Sequence, residues 1–429
     1  MYIRILISAV LLLAPMLATA SDTELTLSRA EQTAVQNNPA LAAAGRQAAA
    51  MAEIPPQVGT LPDPRLAFDA LNLPVDTFST TQENMTQLRV GLSQELPFPG
   101  KLGLKSEAAR FEAEAARFDV DEFRLQLIRN VRINWWNLFY LDRALEIVQR
   151  NQTLLRQFIT IAQTKYKVGK GLQQDVLLAQ VELSKLLDIE IRLKGARRDG
   201  EARLNALLNR PTHLAIPIPA KVDEQLPTVG NEQGLHQIAI KMRPLLKEKN
   251  RHIDAAKSRV NLAEKSYYPD FKVGAGYGFR QGNNTGRSDT RADFLSMGIS
   301  LNLPIFTDTK QDRALAQRKA EVAKEEFSRQ DAIEAIRAET SAALADYHKA
   351  RDQALLFKTG IIPQASQTVA SMLAGYQVGK VDFLNLVRSQ ITLYNYETKY
   401  WQALTEARQS MARLDAAIGK KIDKGITHE

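Results

Sequence analysis

The sequence predicts a mainly α-helical chain with a transmembrane β part, built as two tandem repeats. Each repeat supplies a long helical hairpin toward an α-barrel tunnel and two of the chain's four β-strands. Three observations predict this. A V-G-K turn occurs in KYKVGKGLQQD (165–175) and returns 210 positions later in GYQVGKVDFLN (375–385). Four segments alternate apolar and polar residues with period two. Two stretches poor in proline and glycine keep a helical period long enough for a tunnel rather than a globule.

The first twenty residues read as an export signal. Arg4 gives the positive start, Ile5 to Ala14 the apolar core, and Ala18-Thr19-Ala20 the small-residue cleavage site. That apolar run falls short of the ~20 residues a membrane helix needs. Cleavage removes Arg4 and takes the net charge from +8 to +7. So mild a surplus, without basic runs, excludes a nucleic-acid footprint. With no cysteine there is no disulfide, thiolate metal site or lipid-modified N-terminal cysteine. The five histidines (His213, His236, His252, His348, His428) are scattered, and no metal site, cofactor motif or catalytic constellation is expected. The chain does not read as an enzyme.

Superposing the two turns pairs Tyr166 with Tyr376, Val168 with Val378, Gly169 with Gly379 and Lys170 with Lys380. NNPAL around Pro39 matches MRPLL around Pro244, and SQELPFPGK (93–101) matches SLNLPIFTD (300–308). The first repeat spans 21–209 with its hairpin at 102–209, and the second spans 231–418 with its hairpin at 310–418. A proline-rich linker without helical period (210–230) joins them, and 419–429 is a tail.

The strands are expected at about 65–72, 88–96, 271–280 and 295–303. In the third, Phe271, Val273, Ala275, Tyr277 and Phe279 oppose Lys272, Gly274, Gly276, Gly278 and Arg280. Polar faces rich in glycine and serine, with long hydrophilic loops between, suit membrane strands. Four strands cannot close a barrel, and open edges are not viable in lipid. Several chains must therefore share the barrel, and three copies give twelve strands.

From Pro99 to Lys165 runs a helix of about 60 residues, on the order of 90 Å long. A second runs from Pro304 to about Leu373, interrupted at Gly360 and Pro363. Heptad steps Phe111, Phe118, Leu125 and Ile147, Leu154, Ile161, Val168 predict coiled-coil seams. Trp135, Trp136, Phe139 and Tyr140 read as a packed aromatic cluster.

Signal, duplication, four strands and hairpins turning at Y-x-V-G-K together resemble the TolC-like outer-membrane efflux factors over essentially the whole mature chain. The resemblance implies a homotrimer in outer-membrane lipid, a tunnel across the periplasm, a periplasmic adaptor (membrane fusion protein) and an inner-membrane pump of the proton-driven RND type. By the same resemblance Val168, Gly169, Lys170, Val378, Gly379 and Lys380 are adaptor-binding tips. Asp175 bonded to Tyr376 would hold the periplasmic gate. Asn385 and Arg388 stand where relatives carry an acidic ring, with Asp382 the nearest carboxylate. A threefold ring of Arg388 would favour anions there, offset by Asp175 and Asp382.

QELPFPGKLGLKSEAA (94–109) is similar to the heavy-metal branch of the family, so the expected cargo is heavy-metal cations, with selection left to the pump. The alternatives are a drug-efflux or type I secretion channel and, in a different class, a periplasmic coiled-coil adaptor or scaffold.

Overall fold

The computed structural model describes residues 24–422 apart from Thr285. The predicted signal and most of the predicted tail lie outside the described residues. Three helices, α1 (Leu27–Asn37), α2 (Pro39–Ala52) and α3 (Ile54–Gly59), lead into strands β1 (Arg65–Leu71) and β2 (Gln87–Leu96). The first hairpin is α4 (Lys101–Lys167) and α5 (Gln173–Leu207). Then α6 (Glu232–Met242) and α7 (Pro244–Lys265) lead into β3 (Phe271–Phe279) and β4 (Phe294–Leu301). The second hairpin is α8 (Gln311–Leu356), α9 (Ile362–Gln377) and α10 (Phe383–Ile418).

The repeats begin alike because the same residue breaks the same helix. Pro39 and Pro244 each occupy the first turn of α2 and α7, where the missing N–H removes no hydrogen bond. Asn38 caps α2 by accepting from the Ala40 and Leu41 amides, each at 3.0 Å.

The strands form one antiparallel sheet in the order β1-β2-β3-β4, leaving β1 and β4 as edges unpaired within the chain. Its register puts Phe68 opposite Val90, Val90 opposite Tyr277 and Tyr277 opposite Leu295, so one face is apolar across all four strands. Nothing among the described residues covers that face: Phe68, Met297 and Ile299 are 74%, 78% and 75% exposed. On the other face Gly91 pairs with Gly276, and Gly274 with Gly298. A Cβ on Gly276 would stand 2.5 Å from Arg89 Nε, so this glycine leaves room for an arginine lying across the sheet. Charges on this face oppose one another, Asp69 across from Arg89 and Arg65 3.5 Å from Glu95.

The 67 residues of α4 run about 100 Å and carry the fold. Packing keeps the start of the predicted seam, since Ile147 is buried, but shifts it by one position toward the tip. The heptad buried within the chain is Leu141, Val148, Leu155 and Ala162, while Leu154 and Ile161 are half-buried and Val168 is exposed. Trp135, Trp136 and Phe139 are buried: Trp136 meets the other two edge-on, Trp135 lies parallel to Phe139, and Phe139 meets Trp401 of α10 edge-on. Trp135 Nε1 donates to the Leu25 carbonyl at 2.7 Å, which satisfies the one polar group the indole buries.

The interruption expected at Gly360 and Pro363 is a single π turn, Phe357–Ile361, between α8 and α9. There the Ile362 amide reaches back to the Phe357 carbonyl, and the extra residue absorbs the proline. The 210–230 segment lacks regular structure, but it is strapped down. Ile216 is fully buried, the Leu25 amide donates to Pro217 at 2.7 Å, and Arg408 donates to the Asp223 and Gln225 carbonyls at 2.6 and 2.7 Å. No helix among the described residues is long and apolar enough to cross a membrane.

Candidate functional site

The two V-G-K turns end α4 and α9 with the same hydrogen bonds. In the first, the Gly169 amide donates to the Tyr166 carbonyl at 3.0 Å and the Lys170 amide to Lys165 at 2.9 Å. In the second, Gly379 donates to Tyr376 at 3.1 Å and Lys380 to Gly375 at 2.9 Å. This pair of bonds needs a left-handed residue just past the helix, and Gly169 and Gly379 take φ of +70° and +77°. A Cβ on either would meet nothing within 4 Å, so backbone conformation alone demands glycine. Val168 and Val378, one residue earlier, are 61% and 70% exposed.

The turns differ in one exchanged pair of side chains. Position 165 faces 171 in the first tip, and the corresponding 375 faces 381 in the second. A Cβ on Gly171 would stand 2.9 Å from Lys165 Cβ, and a Cβ on Gly375 would stand 2.6 Å from Val381 Cγ2. Each turn therefore holds one large side chain there, but on opposite arms.

The hairpins meet in one apolar cluster. Tyr376, Phe383, Leu386 and Val387 pack against Leu155, Phe158 and Ala162 of α4 and Ala179 of α5. Higher up, Gln390 Nε2 donates to Asn151 Oδ1 at 2.7 Å in a buried position. Tyr376 is buried against Phe383, with ring centroids 5.1 Å apart.

The predicted Asp175–Tyr376 bond is not made within the chain. The Tyr376 hydroxyl is buried and has no hydrogen-bond partner among the described residues. Packing against Phe383 holds the ring in the cluster, and Asp175, half-buried in the first turn of α5, does not meet it. The two still sense each other through space. Burial pushes the Tyr376 phenol above its ordinary range and the Asp175 charge adds to the shift. Burial likewise raises the Asp175 carboxyl, with the Asp382 charge adding to it and Lys165 opposing.

The residue that does bond Tyr376 across the tips is Lys165, which the sequence reading did not select. Its Nζ donates to the Tyr376 carbonyl and lies 4.3 Å from the ring centroid. The repeat alignment already shows an unmatched lysine, Lys165 against Gly375, but its reach to Tyr376 depends on how the hairpins pack. Asp382, the N-cap of α10, Asn385 and Arg388 are all exposed at the second tip. Among the described residues no cluster of histidine and carboxylate side chains could hold a metal ion.

The P-F-P-G-K segment lies at the far end of α4, at the junction with the sheet. Phe98 stacks on Tyr268 at 4.5 Å, and Lys101 Nζ bonds Asp270 Oδ1 at 2.7 Å.

The chain is 22% identical over 404 residues to the cobalt-zinc-cadmium resistance protein CzcC of Cupriavidus metallidurans, covering 92% of this chain and 90% of that protein. It is 20% identical to nodulation protein T of Rhizobium leguminosarum bv. viciae, covering 79% of this chain and 70% of that one. Its fold is similar to solved outer-membrane channels. CusC superposes with a TM-score of 0.79 at 18% identity, covering 92% of each chain. VceC of Vibrio cholerae gives 0.76 at 18% identity, covering 92% of this chain and 97% of VceC. The open-state MtrE channel of Neisseria gonorrhoeae gives 0.76 at 17% identity, covering 94% of this chain and 91% of MtrE. The sequence model of the outer membrane efflux proteins matches residues 30–210 and 235–420, one match per repeat, and the chain belongs to that family.

Proposed function

We propose that three copies of this chain form the outer-membrane exit duct of a tripartite efflux system. The observation that carries this reading is the sheet: four strands with an uncovered apolar face and two open edges, mounted on a hairpin about 100 Å long. Lipid would cover the apolar face, and neighbouring copies would pair the edges. The glycine-rich polar face would then line the lumen. Its opposed charges make no single-sign filter, which suits a passive conduit. Adaptor docking falls to the exposed valines and lysines of the two tips, and a pump in the inner membrane supplies the energy.

For cargo we propose heavy-metal cations, supported by the similarity to CzcC along nearly the whole chain. Selection would rest with the pump, since no cluster of histidine and carboxylate side chains among the described residues could hold a metal ion. Removing the chain from its cell should raise cell-associated cobalt, zinc or cadmium, and restoring it should return the metal to its former level. Unchanged metal with retained dyes or drugs would overturn the cargo, and a monomer in the outer membrane would overturn the duct.

A further inference from the structure

We propose that Lys165 is the positioning residue that ties the second hairpin tip to the first within each protomer, and that the tips part only when this tie breaks. The inference deepens the duct reading and rests on it for its consequence, but its geometry stands independently.

Lys165 sits in the last turn of α4, and its own carbonyl is fixed by the Lys170 amide at 2.9 Å. Gly171 leaves the space its stem occupies; a Cβ there would stand 2.9 Å from Lys165 Cβ. The side chain crosses to the other hairpin, where Nζ donates to the Tyr376 carbonyl and sits 4.3 Å from the ring centroid. That carbonyl lies in the last turn of α9, where the helix presents its negative end to a cation. The ammonium therefore meets three attractive features at once: a carbonyl, a helix terminus and a π face.

The tie runs one way. Gly375 stands at the position equivalent to Lys165 and has no side chain to return the contact. Its absence lets Val381 close on the backbone, so the second tip is packed by an apolar contact confined to itself. Among the described residues this tip-to-tip tie is made by the nitrogen of Lys165 and is independent of the Tyr376 hydroxyl, which has no partner there.

The chain has no cysteine, so Val168→Cys and Val378→Cys take spin labels at the two tips and nowhere else. Pulsed dipolar measurements on the full-length protein, co-expressed with excess unlabelled chain, then read the tip-to-tip distance within a protomer. Lys165→Met should shift the population about tenfold toward longer distances, as expected for losing a charge-assisted bond. Lys165→Arg should restore the wild-type distribution, and Tyr376→Phe should leave it unchanged. An unchanged distribution in Lys165→Met, or a shift in Tyr376→Phe equal to it, overturns the tie. Should Lys165→Met not assemble, Lys165→Gln carries the same expectation. Conductance in planar bilayers is read separately. A silent wild type that stays silent with parted tips counts against the duct, whereas a conducting wild type with unmoved tips counts against Lys165 alone.

Discussion

Lys101 Nζ lies 2.7 Å from Asp270 Oδ1 and 3.0 Å from the Tyr268 carbonyl, pinning the first residue of α4 to the residue before β3. Asp270 Oδ1 also accepts from the Phe98 amide at 2.7 Å. One carboxylate thus ties the exit of β2 and the start of α4, from the first repeat, to the entry of β3 in the second. Gly100, at φ +91°, turns the chain between them. The junction transmits the direction of the long hairpin to the sheet, and Lys101 is buried there while Lys105, one turn on, is exposed.

Lys101→Met should therefore lower stability by about 2 kcal/mol, since it leaves Asp270 without its cation and frees the Tyr268 carbonyl. Lys105→Met should stay within about 0.5 kcal/mol of wild type. Chemical denaturation followed by far-ultraviolet circular dichroism checks both, and equal effects would remove the special role of Lys101.

His252 of α7 is clamped by Glu112 of α4 at 3.1 Å and by Glu248, one turn before it on α7, at 3.3 Å. The Glu112 and Glu248 bonds raise the imidazole to about 10 against the cost of burial. A histidine raised in the folded state stabilises fully below its unfolded pKa, about 6.5, and loses that contribution as pH rises toward 10. Burial and the Glu248 charge push the neighbouring Asp119 up to about 6, so its opposing effect is complete below this window. The melting temperature of wild type should fall from pH 7 to 10 more steeply than that of His252→Gln. Parallel slopes would show that His252 is not the titrating latch between α4 and α7.

The exchanged pairs at the tips predict a rescue. Gly375→Ala alone places a methyl against Val381 and should open the second turn by about 1–3 kcal/mol. Adding Val381→Gly recreates the small partner of the first tip and should recover most of that loss, a coupling read by a double-mutant cycle. Hydrogen exchange of the Lys380 amide, whose acceptor is Gly375, reports the turn directly. Additive single effects would mean that the two side chains do not compete.

Much of this architecture is legible in the sequence because its signals are local. Period-two alternation finds each strand to within two residues, and Pro39 and Pro244 mark equivalent helix starts. V-G-K marks both turns because only a left-handed glycine completes that set of bonds. The misses are long-range. Ile147 is buried as expected, but the heptad read on through Leu154 and Ile161 lies one position from the buried one, because an amphipathic face is wide and its centre depends on which helix arrives opposite. Resemblance pairs Asp175 with Tyr376, whereas the partner of Tyr376 is set by the packing of one hairpin on the other. P-F-P-G-K signals a subfamily in sequence; its physical content is a bond to Asp270, far along the chain.

Val168 and Val378 give the sharpest test of the proposed docking surface. Both are exposed β-branched residues at the very ends of the hairpins, and neither belongs to the cluster that joins those hairpins. Folding of the single chain therefore gains little from their side chains. Val168→Asp with Val378→Asp should leave the melting transition within about 0.5 kcal/mol of wild type, as for other exposed substitutions. An adaptor that seats on the tips would instead have to bury two carboxylates, and its affinity should fall at least about tenfold. Gly169→Ala with Gly379→Ala supplies the contrasting case: side-chain chemistry at the valines is kept, but two left-handed turns are strained by about 1 kcal/mol each. Immobilised protein titrated with the purified adaptor separates the two. Loss of binding in the valine pair at unchanged stability marks a contact surface. Unchanged binding there, with loss only in the glycine pair, would mean that the adaptor reads the shape of the turn and not its apolar crown.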